Sequence, residues 1–265
     1  MTPRALVIRA PGTNCDQEMV RGFALAGARV DLLHLDHLIR SPGEIERYDL
    51  IGFAGGFSYG DDCGAGRVQA VKIRERLLGP LREAVDRGVA MLGACNGFQV
   101  LVQTGLLPGP APSEWRAADQ PIALAANAGG RFIDGWVPVV FEPRSVCVWT
   151  QGLCDSDLAP EAMMLPIAHG EGRFVASSEQ TLRDLESRGQ VVLRYLENVN
   201  GSAGSIAGVC DATGRVFGLM PHPERYLSWH HHPFWTRLPA SSRSGDSLGL
   251  RMFRNAVNAV GHVAA

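Results

Sequence analysis

Short apolar runs alternate with stretches of helical periodicity through residues 5–107, and this alternation constrains the fold more than any other feature of the chain. Ala5–Ile8 reads as a strand, and Asp16 suits the N-cap of a helix running to Leu25. Val30–Leu35 and Leu50–Ala54 read as the next strands, the latter ending at Gly55-Gly56. Val68–Arg87 has helical spacing, with Val71, Leu77, Leu78, Leu81 and Val85 on one apolar stripe. Val89–Ala94 is a fourth strand and Phe98–Leu107 the helical segment after it. Parallel neighbours can be reached only through a crossover, usually a helix, so this order predicts an α/β fold with a largely parallel sheet and helices on both faces.

The second half is richer in strands, at Ile122–Ala126, Trp136–Phe141, Val146–Thr150, Met163–His169, Val191–Glu197, Ile206–Cys210 and Val216–Met220. Asp211-Ala212-Thr213-Gly214 joins the last two as a hairpin turn. No repeat, low-complexity tract or linker divides the chain, so residues 1–265 are read as one domain.

Composition removes several function classes. Hydrophobic residues make up 46% and charged residues 20%, which excludes a disordered or fibrous chain. Lys and Arg number 25 against 27 Asp and Glu, so no basic excess exists to neutralise phosphates and no nucleic-acid partner is expected. The six cysteines form no C-x-x-C pair, against a zinc ribbon or dithiol redox site. Val89–Ser113 carries no charge, but its Asn96, Gln99, Gln103, four glycines and three prolines suit a buried strand-turn-helix better than a membrane span. The chain starts without a basic, apolar leader, so a reducing cytoplasm is the expected compartment.

The sharpest chemical signal is Gly93-Ala94-Cys95-Asn96-Gly97, between a predicted strand and helix. A nucleophile on such a turn is held in a strained conformation, and flanking glycines relieve the crowding. The following helix start favours thiolate over thiol, and the Asn96 N–H can stabilise an oxyanion. The alternative is a buried cysteine on a glycine-rich turn.

A second signal, Met220-Pro221-His222-Pro223-Glu224-Arg225, follows a strand. In an extended segment held by two prolines, residues i and i+2 point the same way. Glu224 can then accept from one imidazole nitrogen of His222, leaving the other as base toward Cys95. The alternative is a solvated loop. A third element, Gly52–Asp62, lies at a strand's carboxyl end, where ligands bind in a doubly wound sheet. Its Gly56 N–H can supply a second oxyanion donor, and its glycines permit a peptide flip that turns this N–H in or out. Asp61-Asp62 lacks matching His ligands, so helix capping is preferred to a metal site.

Together these residues resemble the class I, triad-type glutamine amidotransferases, and among them the glutaminase subunits of phosphoribosylformylglycinamidine synthase. The matching pieces are Pro11–Asp16, Gly55–Asp62, Gly93–Gln99, His169–Phe174, Asn200–Ser202 with Ile206–Cys210, and Met220–Arg225. The resemblance implies a flavodoxin-like sheet and a Cys95–His222–Glu224 triad, with an oxyanion hole from Gly56 and Asn96. It also implies substrate contacts from Gln99, Gly170 and Glu171, although Gln99 can equally pack beneath the elbow. L-glutamine would be hydrolysed through a Cys95 thioester, and ammonia passed to a synthetase subunit that uses ATP and Mg to convert formylglycinamide ribonucleotide. It leaves open a small accessory subunit, and implies no cofactor or metal in this chain and no membrane partner. Another triad amidotransferase, a γ-glutamyl hydrolase and a silent scaffold are the competing readings.

Other polar residues are read structurally. His230-His231-His232 is taken as a solvated loop, since a contiguous run cannot easily converge on one ion. His34 and His37 are expected to pack or cap, and Trp229, Phe234 and Trp235 to pack in a C-terminal loop. Leu227–Gly245 is long for the simplest members of the family but leaves the triad intact.

Overall fold

The computed structural model describes residues 1–109, 120–155, 158 and 160–261; residues 110–113 of the uncharged stretch lie outside the described residues. The first half runs β1 (Arg4–Arg9), α1 (Asp16–Leu25), β2 (Arg29–His34), α2 (Leu35–Arg40), β3 (Leu50–Phe53), α3 (Arg67–Arg76), α4 (Leu78–Asp86), β4 (Ala90–Ala94) and α5 (Asn96–Gln103). The second contributes β5 (Ile122–Ala125), β6 (Ile133–Phe141), β7 (Met164–His169), β8 (Arg173–Ala176), α6 (Glu179–Ser187), β9 (Val191–Tyr195), β10 (Ile206–Cys210), β11 (Val216–Leu219) and α7 (Leu248–Gly261).

Among the described residues, one nine-stranded sheet has the order β2-β1-β3-β4-β11-β10-β9-β6-β7. The five strands from β2 to β11 are mutually parallel, and the rest extend the sheet by antiparallel pairing. A separate pair, β5 with β8, is antiparallel. The parallel half keeps the α/β expectation, and its order 2-1-3-4 followed by β11 is the flavodoxin-like one.

Strand alternation divides the core into two layers. Val7, Gly52, Leu92 and Phe217 stand in register on one face, under Met19 and Phe23 of α1 and Phe253 of α7. Leu6, Ile51, Met91 and Val216 stand on the other, covered by Ile73 of α3, Leu81 of α4 and Leu101 of α5. A Cβ at Gly52 would lie 2.4 Å from Met19 Sδ, so glycine there lets α1 dock closely.

Three expectations change. Asp16 lies inside the first turn of α1, with Cys15 in the N-cap position. Val68–Arg87 is two helices meeting at Leu77 (φ −127°, ψ −5°). Pro80 explains the break: its ring excludes the carbonyl four residues earlier and it offers no N–H, so it is tolerated only in the first turn of a new helix. Val71 lies off the buried face of α3, which carries Ala70 and Ile73, and is 41% exposed. Val146–Thr150 forms a 3-10 turn over Val148–Thr150 instead of a strand. Trp149 is driven into the core against Phe23 and Phe253, and its Nε1–H donates to Arg215 O at 2.9 Å.

The carboxyl ends of β1, β3, β4 and β11 open on the same edge of the sheet, delivering residues 10–15, 54–60, 95–96 and 220–225 to one place.

Candidate active site

Cys95 joins β4 to α5 with φ +51° and ψ −107°, a conformation that costs a non-glycine residue about 1–3 kcal/mol. The surroundings hold it there. Its N–H donates to Leu219 O at 2.8 Å, and its carbonyl accepts from Gln99 N–H at 3.1 Å. A Cβ on Gly93 would lie 2.7 Å from the Gly97 backbone, and one on Gly97 would lie 1.9 Å from Phe53 O. Both flanking glycines are therefore steric requirements of the turn. Cys95 Sγ sits 3.5 Å from Ala168 O, at the end of β7.

Beyond β11 the chain passes through Met220 and Pro221 to His222, whose N–H donates to Pro166 O at 2.8 Å. Residues 223–225 then form a 3-10 turn. This differs from the extended segment expected, yet the turn also brings the side chains together. His222 Nδ1 donates to Glu224 Oε1 at 2.7 Å, and both residues are 1% exposed. His222 Nε2 and Glu224 Oε2 are buried without a hydrogen-bond partner among the described residues. Burial alone would push the imidazole toward its neutral form. The Glu224 carboxylate, with Cys95 and Cys15 beside the ring, outweighs burial and raises the His222 pKa well above the usual histidine value.

The loop after β3 is fastened to the segment after β1. Asn14 and Cys15 N–H both donate to Gly55 O at 3.2 Å, Phe57 N–H donates to Gly12 O at 3.0 Å, and Tyr59 N–H to Pro11 O at 2.7 Å. Gly56 has φ +141°, and a Cβ there would lie 2.7 Å from Asn14 N. Its N–H has no acceptor among the described residues, and the Asn96 N–H opens α5 with no intrahelical acceptor. A flip of the Gly55–Gly56 peptide would break two hydrogen bonds to Gly55 O. The freedom read into this glycine pair is thus used up by anchoring.

Asn96 and Gln99 knit this wall together. Asn96 Nδ2 donates to Asp61 Oδ1 at 3.0 Å and Gln99 Oε1 at 3.1 Å, while its Oδ1 accepts from Ser58 N–H at 3.3 Å. Gln99 Nε2 donates to Glu171 O at 2.6 Å, so both ends of its amide are engaged, as in the packing alternative. Glu171 Oε2 accepts from Ala65 N–H at 3.3 Å, and Gly170 O from Asn127 N–H at 2.8 Å. Asp61 also accepts from Gly66 N–H just before α3, so it closes the loop. Burial raises its pKa above the ordinary aspartate value, against the hydrogen bonds from Gly66 and Asn96.

Sequence reasoning missed four side chains here: Cys15, Arg225, His169 and Asn127. Asn127 Nδ2 donates to Arg131 O and His169 O, which leaves Oδ1 as acceptor for Gly172 N–H and His169 Nδ1–H. His169 Nε2 is then the unprotonated nitrogen, facing Tyr195 OH at 3.5 Å. Burial, reinforced by the nearby His222, lowers the His169 pKa to about 4. Cys15 Sγ accepts from Arg225 Nη2 at 2.9 Å. Cys15, His222 and Glu224 offer one ligand atom each within 4.8 Å of one another, but the Arg225 guanidinium on the sulfur opposes a metal cation there. A signal was available in the polar residues embedded in the glycine-flanked stretches at 12–15 and 169–172.

The other described histidines are structural. His34 Nδ1 caps α2 by accepting from Asp36 N–H at 3.2 Å, and His37 bonds Glu44 at 2.7 Å. The solvated-loop expectation fails for His232, which is buried, accepts from Phe234 N–H and donates to Glu161 O at 2.9 Å. It packs with Trp136, Tyr226 and Phe234, while Trp235 pairs separately with His230.

The sequence model of the CobB/CobQ-like glutamine amidotransferase domain matches residues 2–260. The phosphoribosylformylglycinamidine synthase subunit PurQ of Dehalococcoides mccartyi is 38% identical over 260 residues, covering 96% of each chain. PurQ of Mycobacterium tuberculosis is 39% identical over 264 residues, covering 98% of this chain and 99% of its own. A chain in the structure of PurLQS from Thermotoga maritima superposes with a TM-score of 0.72 at 33% identity, covering 98% of this chain and 100% of that one.

Proposed function

The chain belongs to the CobB/CobQ-like glutamine amidotransferase family and, within it, to the PurQ subunits of phosphoribosylformylglycinamidine synthase, and from that premise we propose how its residues carry out the reaction. It is the glutaminase subunit, releasing ammonia from L-glutamine for the synthetase subunit that makes formylglycinamidine ribonucleotide in purine biosynthesis. Cys95 Sγ gives its proton to His222 Nε2 and attacks the side-chain amide carbon of glutamine. The amide oxygen becomes an oxyanion, accepting from the Gly56 and Asn96 N–H groups. His222 returns the proton to the departing nitrogen, ammonia leaves, and a γ-glutamyl thioester remains. Water, deprotonated by the same nitrogen, hydrolyses the thioester to glutamate and restores the thiol. Glu224 holds the ring and balances its charge throughout.

One observation carries this reading. His222 Nδ1 is committed to Glu224, while Nε2 is buried and unpartnered beside Cys95. Gln99, Gly170 and Glu171 build the wall on which glutamine would lie. ATP and Mg belong to the synthetase, and this subunit needs no cofactor of its own. A cytoplasmic location fits that pathway; among the described residues no helix is long and apolar enough to cross a membrane. The test is glutamine hydrolysis by the purified chain, alone and with synthetase, ribonucleotide and ATP. Release of ammonia abolished by Cys95→Ala is expected. Undiminished release by that variant would refute the assignment.

A further inference from the structure

Arg225 follows the proposed triad directly in sequence, and its guanidinium turns back into the protein to meet a second cysteine. Nη2 donates to Cys15 Sγ at 2.9 Å, and the Cys15 thiol donates onward to Asn14 Oδ1 at 3.1 Å. Cys15 is fully buried. Its backbone N–H, with that of Asn14, holds Gly55 O and so sets the peptide whose other end is the Gly56 N–H. Gly55 in turn lies against the His222 ring, where a Cβ would come within 2.7 Å of Cε1. One residue therefore touches both halves of the site: the main chain of Cys15 grips the oxyanion loop, and its side chain grips the turn that carries His222 and Glu224.

The electrostatics point the same way. Glu224 Oε2 is buried without a hydrogen-bond partner among the described residues, and a buried carboxylate in that state needs a compensating charge close by. Arg225 is half-buried, and although burial opposes its charge, Cys15, Glu224 and Cys95 favour it. Sulfur is a weak acceptor, so the Arg225–Cys15 contact offers little to fold stability. Its geometry instead fixes where the positive charge sits.

We propose that Arg225 and Cys15 form a positioning pair, in which Cys15 aims the guanidinium so that its charge balances Glu224 and registers the His222 turn against the loop bearing Gly56. The proposal rests on the triad reading above. Neither residue touches glutamine; both act through His222 and Gly56.

The test uses the chain assembled with its synthetase, with ribonucleotide and ATP saturating, and reads kcat and KM for glutamine. Arg225→Gln should lower kcat by about tenfold to a hundredfold, the size expected for losing one charged hydrogen-bonding group, with KM changed by less than about threefold. Arg225→Lys, which keeps the charge but not the planar fork, should fall between. Cys15→Ala should lower kcat by a smaller factor, and Cys15→Ser, whose hydroxyl can still accept from the guanidinium, should recover most of that loss. Arg225→Gln combined with Cys15→Ala should be no worse than Arg225→Gln alone, because the two act as a unit. Unfolding midpoints near wild type for every variant would separate positioning from stability. Wild-type kcat in Arg225→Gln, a loss confined to KM, multiplying losses in the double variant, or no rescue by serine would each overturn the pair. His222→Ala serves as the control: if it is inactive while both pair variants turn over normally, only the pair is refuted, and if it is active the triad reading itself falls.

Discussion

His222 Nδ1 donates to Glu224 Oε1 at 2.7 Å inside a volume that solvent does not reach, so Nδ1 keeps its proton and Nε2 is the nitrogen that exchanges one with Cys95. Removing the ring and removing its orienting carboxylate should therefore have unequal effects. His222→Ala is expected to bring glutamine hydrolysis close to background. Glu224→Ala should retain more activity, since the base survives without its orientation. Steady-state ammonia release by both variants is the measurement, and His222→Ala at wild-type rate would exclude the triad.

Cys95 differs from the other cysteines by combining the strained elbow with a nearby base. A glutamine-like diazo-ketone should alkylate Cys95 alone, read by peptide mass spectrometry. Cys15 is enclosed by Arg225 and Asn14 and should stay unmodified, as should Cys63, which is exposed and lies outside the triad. Alkylation of Cys15 or Cys63 with Cys95 intact would move the site.

Gly55 offers a steric probe of the ring. A methyl group there would press on His222 Cε1 at 2.7 Å and on Ala94 O at 3.3 Å. Gly55→Ala should reduce kcat by about tenfold or more by displacing the base, while its unfolding midpoint shifts less than that of Gly97→Ala, whose methyl would meet Phe53 O at 1.9 Å. The comparison needs only kcat and thermal unfolding on the two variants. A fully active Gly55→Ala would mean that the ring position tolerates what the contact distances forbid.

Much of this site was legible because its parts are local. Gly93 to Gly97 and His222 to Glu224 each carry their geometry within five residues, and strand-helix alternation places both at the same edge of a parallel sheet. What sequence did not reveal depends on contacts between distant segments. Arg225 meets Cys15 across 210 positions, and His169 meets Asn127 across 42. The missed helix Glu179–Ser187 is strongly polar and starts at a Ser178 cap that accepts from Thr181 N–H at 3.1 Å, so its apolar face was too thin to stand out. Strand Arg173–Ala176 escaped because only pairing with Ile122–Ala125 distinguishes it from a loop.

His169 makes stability depend on pH with a definite sign. Its pKa falls from 6.5 to about 4 on folding, so the unfolded chain takes up a proton that the folded chain refuses as pH drops through this window. Stability from this group is present above about pH 6.5 and is lost toward pH 4, a decrease of about 2 kcal/mol between pH 7 and pH 5. His222 has the opposite shift: its pKa is raised on folding, so its contribution is fully present below about pH 6.5 and fades only at higher pH. It cannot cancel the His169 effect in the acid window. His169→Gln, whose amide can still donate to Asn127 Oδ1, should flatten the fall in urea-unfolding free energy between the two pH values. An equally steep fall in that variant would assign the acid sensitivity to other groups.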